Sequence, residues 1–234
     1  MLAQQASGVA QLQARISVCR ACPRLVQWRE SVARDGHRAA FADQPYWGRP
    51  APAFGDPEAE VLLVGLAPAA NGTNRTGRLF TGDPSGDFLF AALHRTGWAS
   101  QPTSVSAGDG QQLRGLRMLA SVRCAPPQNK PTRDELSTCA GWLRRDLELA
   151  AGHLRAIVCL GVLGWNATMV TLADLGWDVP RPRPKFGHGV GVELHNPASQ
   201  SVRVIGCYHV SPRNTNTGRL TAQMLDEVLL SVRG

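Results

Sequence analysis

The chain has 234 residues, 43% of them apolar, with 25 Lys and Arg against 18 Asp and Glu and a formal charge of +7. This length suits one α/β domain whose core needs no disulfide staples. No apolar run is long enough to span a bilayer, and the first residues lack the basic start and apolar core of a signal peptide. The expectation is a single cytoplasmic domain, residues 1–234, with no membrane partner. The basic residues are almost all arginine. Arginine forks onto phosphate better than lysine does, so the balance favours a polyanionic partner, nucleic acid above all.

In chain order, residues 8–35 predict a helix interrupted at Cys19-Arg20-Ala21-Cys22-Pro23. Arg15, Arg20, Arg24, Arg29 and Arg34 recur so that several share a face, which is expected to be solvated. Residues 36–59, rich in Gly, Pro and aromatics, predict an ordered loop. Val61-Leu62-Leu63-Val64 then reads as a strand apolar on both faces. It runs into a long polar loop from Gly65 to Asp83 that carries one aromatic, Phe80. In open α/β sheets, ligands bind where such loops leave the carboxyl ends of strands.

Asp83-Pro84 predicts a helix start, with Asp at the N-cap and Pro at the first helical position. Leu116 to Val122 is a second strand, ending at Cys124-Ala125-Pro126-Pro127. Thr132 and Glu135 form a capping box opening a helix that turns Cys139 inward. Leu154 to Leu160 predicts a third strand, Val162 to Leu175 a helix, residues around His188 to Leu194 a short hairpin, and Val202 to His209 a fourth strand. A final helix is expected over 217–232. Strands alternating with helices imply a three-layer α/β/α fold on a central four-stranded, mainly parallel sheet.

Six cysteines in a cytoplasmic chain are not read as disulfides. Cys159 and Cys207 lie inside apolar strands and are expected to be inert. For Cys19, Cys22, Cys124 and Cys139, spacing alone leaves three readings open: unrelated thiols, a zinc site, or a [4Fe–4S] cluster held by four thiolates.

Three stretches together resemble the iron–sulfur uracil-DNA glycosylases, specifically the family-5 (type b) enzymes. They are Gly65-Leu66-Ala67-Pro68-Ala69-Ala70-Asn71-Gly72-Thr73-Asn74-Arg75-Thr76-Gly77-Arg78-Leu79-Phe80-Thr81-Gly82-Asp83, then Cys124-Ala125-Pro126-Pro127-Gln128-Asn129-Lys130-Pro131-Thr132 with Cys139 beyond, then His209-Val210-Ser211-Pro212-Arg213-Asn214. The resemblance implies a monofunctional glycosylase that excises uracil and other damaged bases from double-stranded DNA, a uracil-DNA glycosylase fold, and a monomer. It also favours a [4Fe–4S] cluster on Cys19, Cys22, Cys124 and Cys139. A non-enzymatic iron–sulfur DNA-binding regulator and a phosphate-binding α/β enzyme are the alternatives; neither requires both Phe80 and His209, and the P-loop lysine pattern is absent.

Under the resemblance, Phe80 stacks on the flipped base and His209 donates a hydrogen bond to the developing anion. Related families carry an acid or amide where this chain has Leu66 and Ala67, so Ala67 is a substrate contact that cannot polarise water. Asp83 is the candidate for positioning water, with its carboxylate expected to be kept ionised by the helix N-terminus; Asn71 and Asn74 are in reserve. Asn129 is expected to read the base edge where the related family-4 asparagine is replaced by Ala120, implying a range wider than uracil that includes modified pyrimidines and deaminated purines such as hypoxanthine. Ser211, Arg213 and Asn214 are expected to enter the minor groove. Arg75, Arg78, Arg183, Lys185 and Arg219 are candidate phosphate contacts.

Overall fold

The computed structural model describes residues 3–233. Its centre is a six-stranded sheet in the order β1-β3-β2-β4-β6-β5. The four inner strands, β2 (Val61–Gly65), β3 (Leu116–Ala120), β4 (Ala156–Leu160) and β6 (Ser201–Cys207), are parallel. Every residue of β2, β3 and β4 is buried, as strands covered on both faces must be. These are the four strands expected from sequence: β2 runs one residue further, to Gly65, while β3 and β6 end two residues earlier than expected and β4 starts two residues later.

The expected count of four is corrected by two edge strands. β1 (Phe54–Gly55) pairs antiparallel with β3, and β5 (Gly191–His195) pairs antiparallel with β6. β1 is too short to carry a pattern. β5 is mostly exposed and makes the hairpin expected near His188–Leu194 by returning into β6.

Helices α4 (Pro84–Arg95) and α8 (Ala222–Ser231) cover one face of the sheet, and α5 (Arg133–Ala150) and α6 (Val162–Asp174) the other. Side chains alternate accordingly along β2: Val61 and Leu63 pack with α4 and α8, Leu62 and Val64 with α5 and α6. The capping box is formed, with Thr132 Oγ1 accepting from the Glu135 N–H and Glu135 accepting from the Thr132 N–H. The helix expected over 217–232 is α8, which starts five residues later; a short helix not expected from sequence, α7 (Pro212–Thr215), precedes it, with Gly218 between them at a φ of 72°. A glycine in that left-handed conformation ends a helix at little cost.

The amino-terminal helices α1 (Val9–Ser17) and α2 (Pro23–Arg34) break at the cysteine segment as expected. They pack against Val122, Cys124 and the start of α5 through Leu12, Ile16 and Leu25. Arg29 corrects the picture of a solvated arginine face, because it is only 2% exposed. Among the described residues no helix is long and apolar enough to cross a membrane.

Candidate active site

Three loops leave the carboxyl ends of β2, β3 and β6 on the same edge of the sheet. The β2 loop contains the short helix α3 (Thr73–Thr76) and then Phe80, whose φ of 52° is unusual for an aromatic residue. Such a conformation costs about 1–3 kcal/mol and persists only where its surroundings impose it. Those surroundings are visible: a β-carbon on Gly65 would stand 2.9 Å from Phe80 Cζ, so the ring lies directly on the end of β2. Asp83 caps α4, its Oδ1 accepting from the N–H groups of Ser85 and Gly86 at 3.0 Å each. His209 follows β6 by two residues. Phe80, Asp83 and His209 line one cavity of about 50 Å³ together with Gly65, Leu66 and Ala67. That cavity is the floor of a wider groove of about 570 Å³, the two sharing Leu66, Ala67, Ala69, Ser85 and His209.

Burial sets the electrostatics. It pushes the Asp83 carboxyl up, against the two backbone donors and Arg75, which pull it down. The helix N-terminus thus favours the ionised carboxylate as expected from sequence, and burial works against it as the larger influence. Burial also lowers the His209 imidazole below its ordinary value, which favours the neutral ring near pH 7. Among the described residues no group hydrogen-bonds the His209 ring, while its backbone carbonyl accepts from Asn214 Nδ2 at 2.8 Å. The ring is therefore free to meet a ligand from a loop tied in place.

The other predicted residues divide. Ala67, Asn129, Ser211, Arg213 and Asn214 line the groove, as does Arg219, whose guanidinium sits 4.7 Å over the Tyr208 ring. Asn129 adopts a φ of 57° at the end of a short 3-10 turn, Pro127–Asn129. Asn71 is not at the cavity: its Oδ1 accepts from Tyr46 Oη at 2.8 Å. Asn74 is buried and donates to the Arg29 carbonyl at 3.2 Å.

Two arginines expected on phosphate are committed inside the chain. Arg75 donates to the carbonyls of Asn71 and Gly82 and to Gln44, with Phe41 4.0 Å beneath it. Arg78 is 5% exposed, paired with Asp109 at 2.6 Å and bonded to Thr81 and Ser104. Sequence reasoning passed over Leu163, Phe186 and Tyr208, which also line the groove. Leu163 is 44% exposed at the start of α6; nothing in a Val-Leu-Gly-Trp run signals that its leucine faces outward.

Cys19, Cys22, Cys124 and Cys139 all line a second cavity, between α2, α5 and the segment after β3. None is in a disulfide. Burial pushes the thiol of Cys124 up to about 11 and that of Cys139 to about 12. Among the described residues no three His, Cys, Asp or Glu side chains are grouped closely enough to hold a metal ion. Arg29 and Arg123, both almost fully buried, complete the lining, and Arg29 Nε, Arg123 Nε and Arg123 Nη1 have no partner. Soft sulfur donors beside unpartnered cationic N–H groups suit an anionic, sulfur-rich group. Cys159 and Cys207 are buried in β4 and β6, away from this cavity.

A six-stranded α/β/α sheet with a base-sized groove at its strand ends defines a fold class, and the family model for the uracil DNA glycosylase superfamily matches residues 52–233. A type-5 uracil-DNA glycosylase of Mycobacterium bovis is 52% identical over 97% of this chain and 81% of its own length. Proteins of the same name from Thermus thermophilus and Pyrobaculum aerophilum are 47% and 46% identical, over 93% and 92% of this chain and 94% and 88% of theirs. The chain belongs to the uracil-DNA glycosylase superfamily and, within it, to the type-5 family.

Proposed function

We propose that the protein is a DNA-repair glycosylase that hydrolyses the N-glycosidic bond of uracil and other deaminated or modified bases in double-stranded DNA, leaving an abasic site. The observation that carries this reading is the meeting of Phe80, Asp83 and His209 in one cavity at the strand ends. A base cannot be attacked at C1′ while stacked, so it must be extruded, at a cost of a few kcal/mol. The Phe80 face recovers about 1–3 kcal/mol of that by stacking. As the C1′–N bond breaks, its electron pair leaves with the base and positive charge builds on the sugar. Neutral His209 donates to a base carbonyl oxygen as it becomes anionic, a kind of contact that contributes about 3–4 kcal/mol. Asp83 faces the sugar side, where its carboxylate stabilises the cation and aligns water. Ala67 leaves room beside the base, and Asn129 reads its edge from the groove rim. Ser211, Arg213 and Asn214 occupy the space left in the duplex, and the enzyme acts as a monomer.

Cys19, Cys22, Cys124 and Cys139 would hold a [4Fe–4S] cluster. The support is a cavity lined by cysteines from three chain segments beside buried arginine N–H groups that have no partner. Holding it, Cys19 and Cys22 before α2, Cys124 after β3 and Cys139 on α5 would be tied together away from the base cavity. The test of the function is incubation with a uracil-containing duplex followed by alkali. Strand scission that requires alkali is expected. Scission without alkali would mark a lyase, and none under either condition would overturn the reading.

A further inference from the structure

Arg29 lies where a cation has no ordinary reason to be. It is on α2, about two helical turns beyond Cys22, and is 2% exposed. Its Nη1 donates to Cys124 Sγ at 2.8 Å and its Nη2 to the Cys19 carbonyl at 3.1 Å, while Nε has no partner. The nearest carboxylate is Glu30 at 3.8 Å, itself held by Arg20. Arg123 lines the same cavity. Its backbone N–H donates to Cys139 Sγ at 3.3 Å, and its side chain shares the buried Asp146 with Arg117. Arg117 and Arg123 thus share one buried carboxylate, and buried Arg29 has only the partly exposed Glu30 near it. A buried charge without a partner is strongly unfavourable, so this region is built for an anion.

We propose that Arg29, backed by Arg123, is the fixed counter-charge of the cluster, donating a hydrogen bond to the Cys124 sulfur. This rests on the cluster reading given above. Hydrogen bonds to sulfur and net charge set a cluster's reduction potential, and outer contacts of this kind alter retention about 10–100-fold. Arg29 makes no contact with the base cavity, so its effect is on the cluster and not on the reacting atoms.

The experiment compares the wild-type protein with Arg29→Met and Arg29→Lys, each reconstituted anaerobically with iron and sulfide. Iron and sulfide per chain, the rate of visible bleaching by a chelator, and the midpoint potential in a dithionite titration are measured. The expected result is bleaching of Arg29→Met at least about tenfold faster and a midpoint moved to lower potential, with Arg29→Lys in between. Wild-type bleaching and potential in Arg29→Met would overturn the proposal while leaving the cluster intact. If Arg29→Met does not fold, Arg29→Lys decides: it keeps the charge but loses the paired bonds, and unchanged values there overturn the proposal. A wild-type protein that takes up no iron and sulfide removes the cluster reading itself, and this inference with it.

Discussion

The carboxylate of Asp83 lies against the α-carbon of Gly72, so closely that a β-carbon at Gly72 would overlap Oδ2. The other oxygen, Oδ1, is held by two N–H groups at the start of α4. The group therefore has one orientation, set between a loop backbone and a helix end.

Gly72→Ala is expected to swing the carboxylate away and to lower single-turnover excision at least as much as Asp83→Asn. It also disturbs the cap, at a cost of about 1 kcal/mol. Rapid-quench kinetics on a uracil duplex, beside thermal unfolding, checks both. Wild-type excision by Gly72→Ala would mean that the orientation of Asp83 does not matter to the chemistry.

Asp83→Asn is expected to lose most excision and yet keep or gain stability at neutral pH. The folded carboxyl titrates above its ordinary value of about 3.9, because burial disfavours its charge. The unfolded chain thus ionises first. Stability linked to Asp83 is present below about pH 3.9 and is lost as pH rises through the raised folded value. Asparagine also caps helices and carries no such loss. The difference in melting temperature, variant minus wild type, should grow in the variant's favour from pH 3 to pH 7.

Gly65 is expected to matter through Phe80. An added methyl at 2.9 Å from a rigid ring forces the ring to move. Gly65→Ala and Phe80→Ala should both weaken capture of the flipped base by about 1–3 kcal/mol, seen with a fluorescent base analogue in the duplex. Full-strength capture by Gly65→Ala would show that the ring position is not what holds the base.

Arg78 and Asp109 brace the loop that carries Phe80. Arg78 reaches Thr81, Ser104 and Asp109, and its guanidinium and three backbone N–H groups hold the Asp109 carboxyl far below the usual range, despite burial that opposes them. A depressed carboxyl contributes stability above the unfolded value, about 3.9, and loses it as pH falls toward the folded value. Asp109→Asn should therefore lie below wild type in stability at neutral pH and converge with it under strong acid. Arg78→Met, which strands the carboxylate, is the harsher change, up to about 3–5 kcal/mol. Urea unfolding across pH measures both.

Much of this molecule follows from local chemistry. The four inner strands are legible because uninterrupted apolar runs must be buried on both faces. The starts of α4 and α5 are legible because Asp83-Pro84 and Thr132-Arg133-Asp134-Glu135 satisfy orphan N–H groups from within the segment. The loop after β2 and the strand-end His209 mark the site, since parallel strands all deliver their loops to one edge.

Other features exist only once distant segments meet. β1 is a strand because its neighbour β3 offers it a ladder, not because of its own pattern. Arg75 and Arg78 carry the residue type of phosphate contacts, and only the partners brought by Gln44, Phe41, Ser104 and Asp109 turn them inward. The same holds for the environment of Asp83, where burial by packed neighbours raises the carboxyl against the helix end beside it. Arg29 is among the arginines whose face is expected from sequence to be solvated, and its burial beside Cys124 depends on a contact 95 residues along the chain. Sequence sets which groups are present and their local geometry. The tertiary structure decides which lose their water, and in a protein interior the loss of water determines what a charge can do.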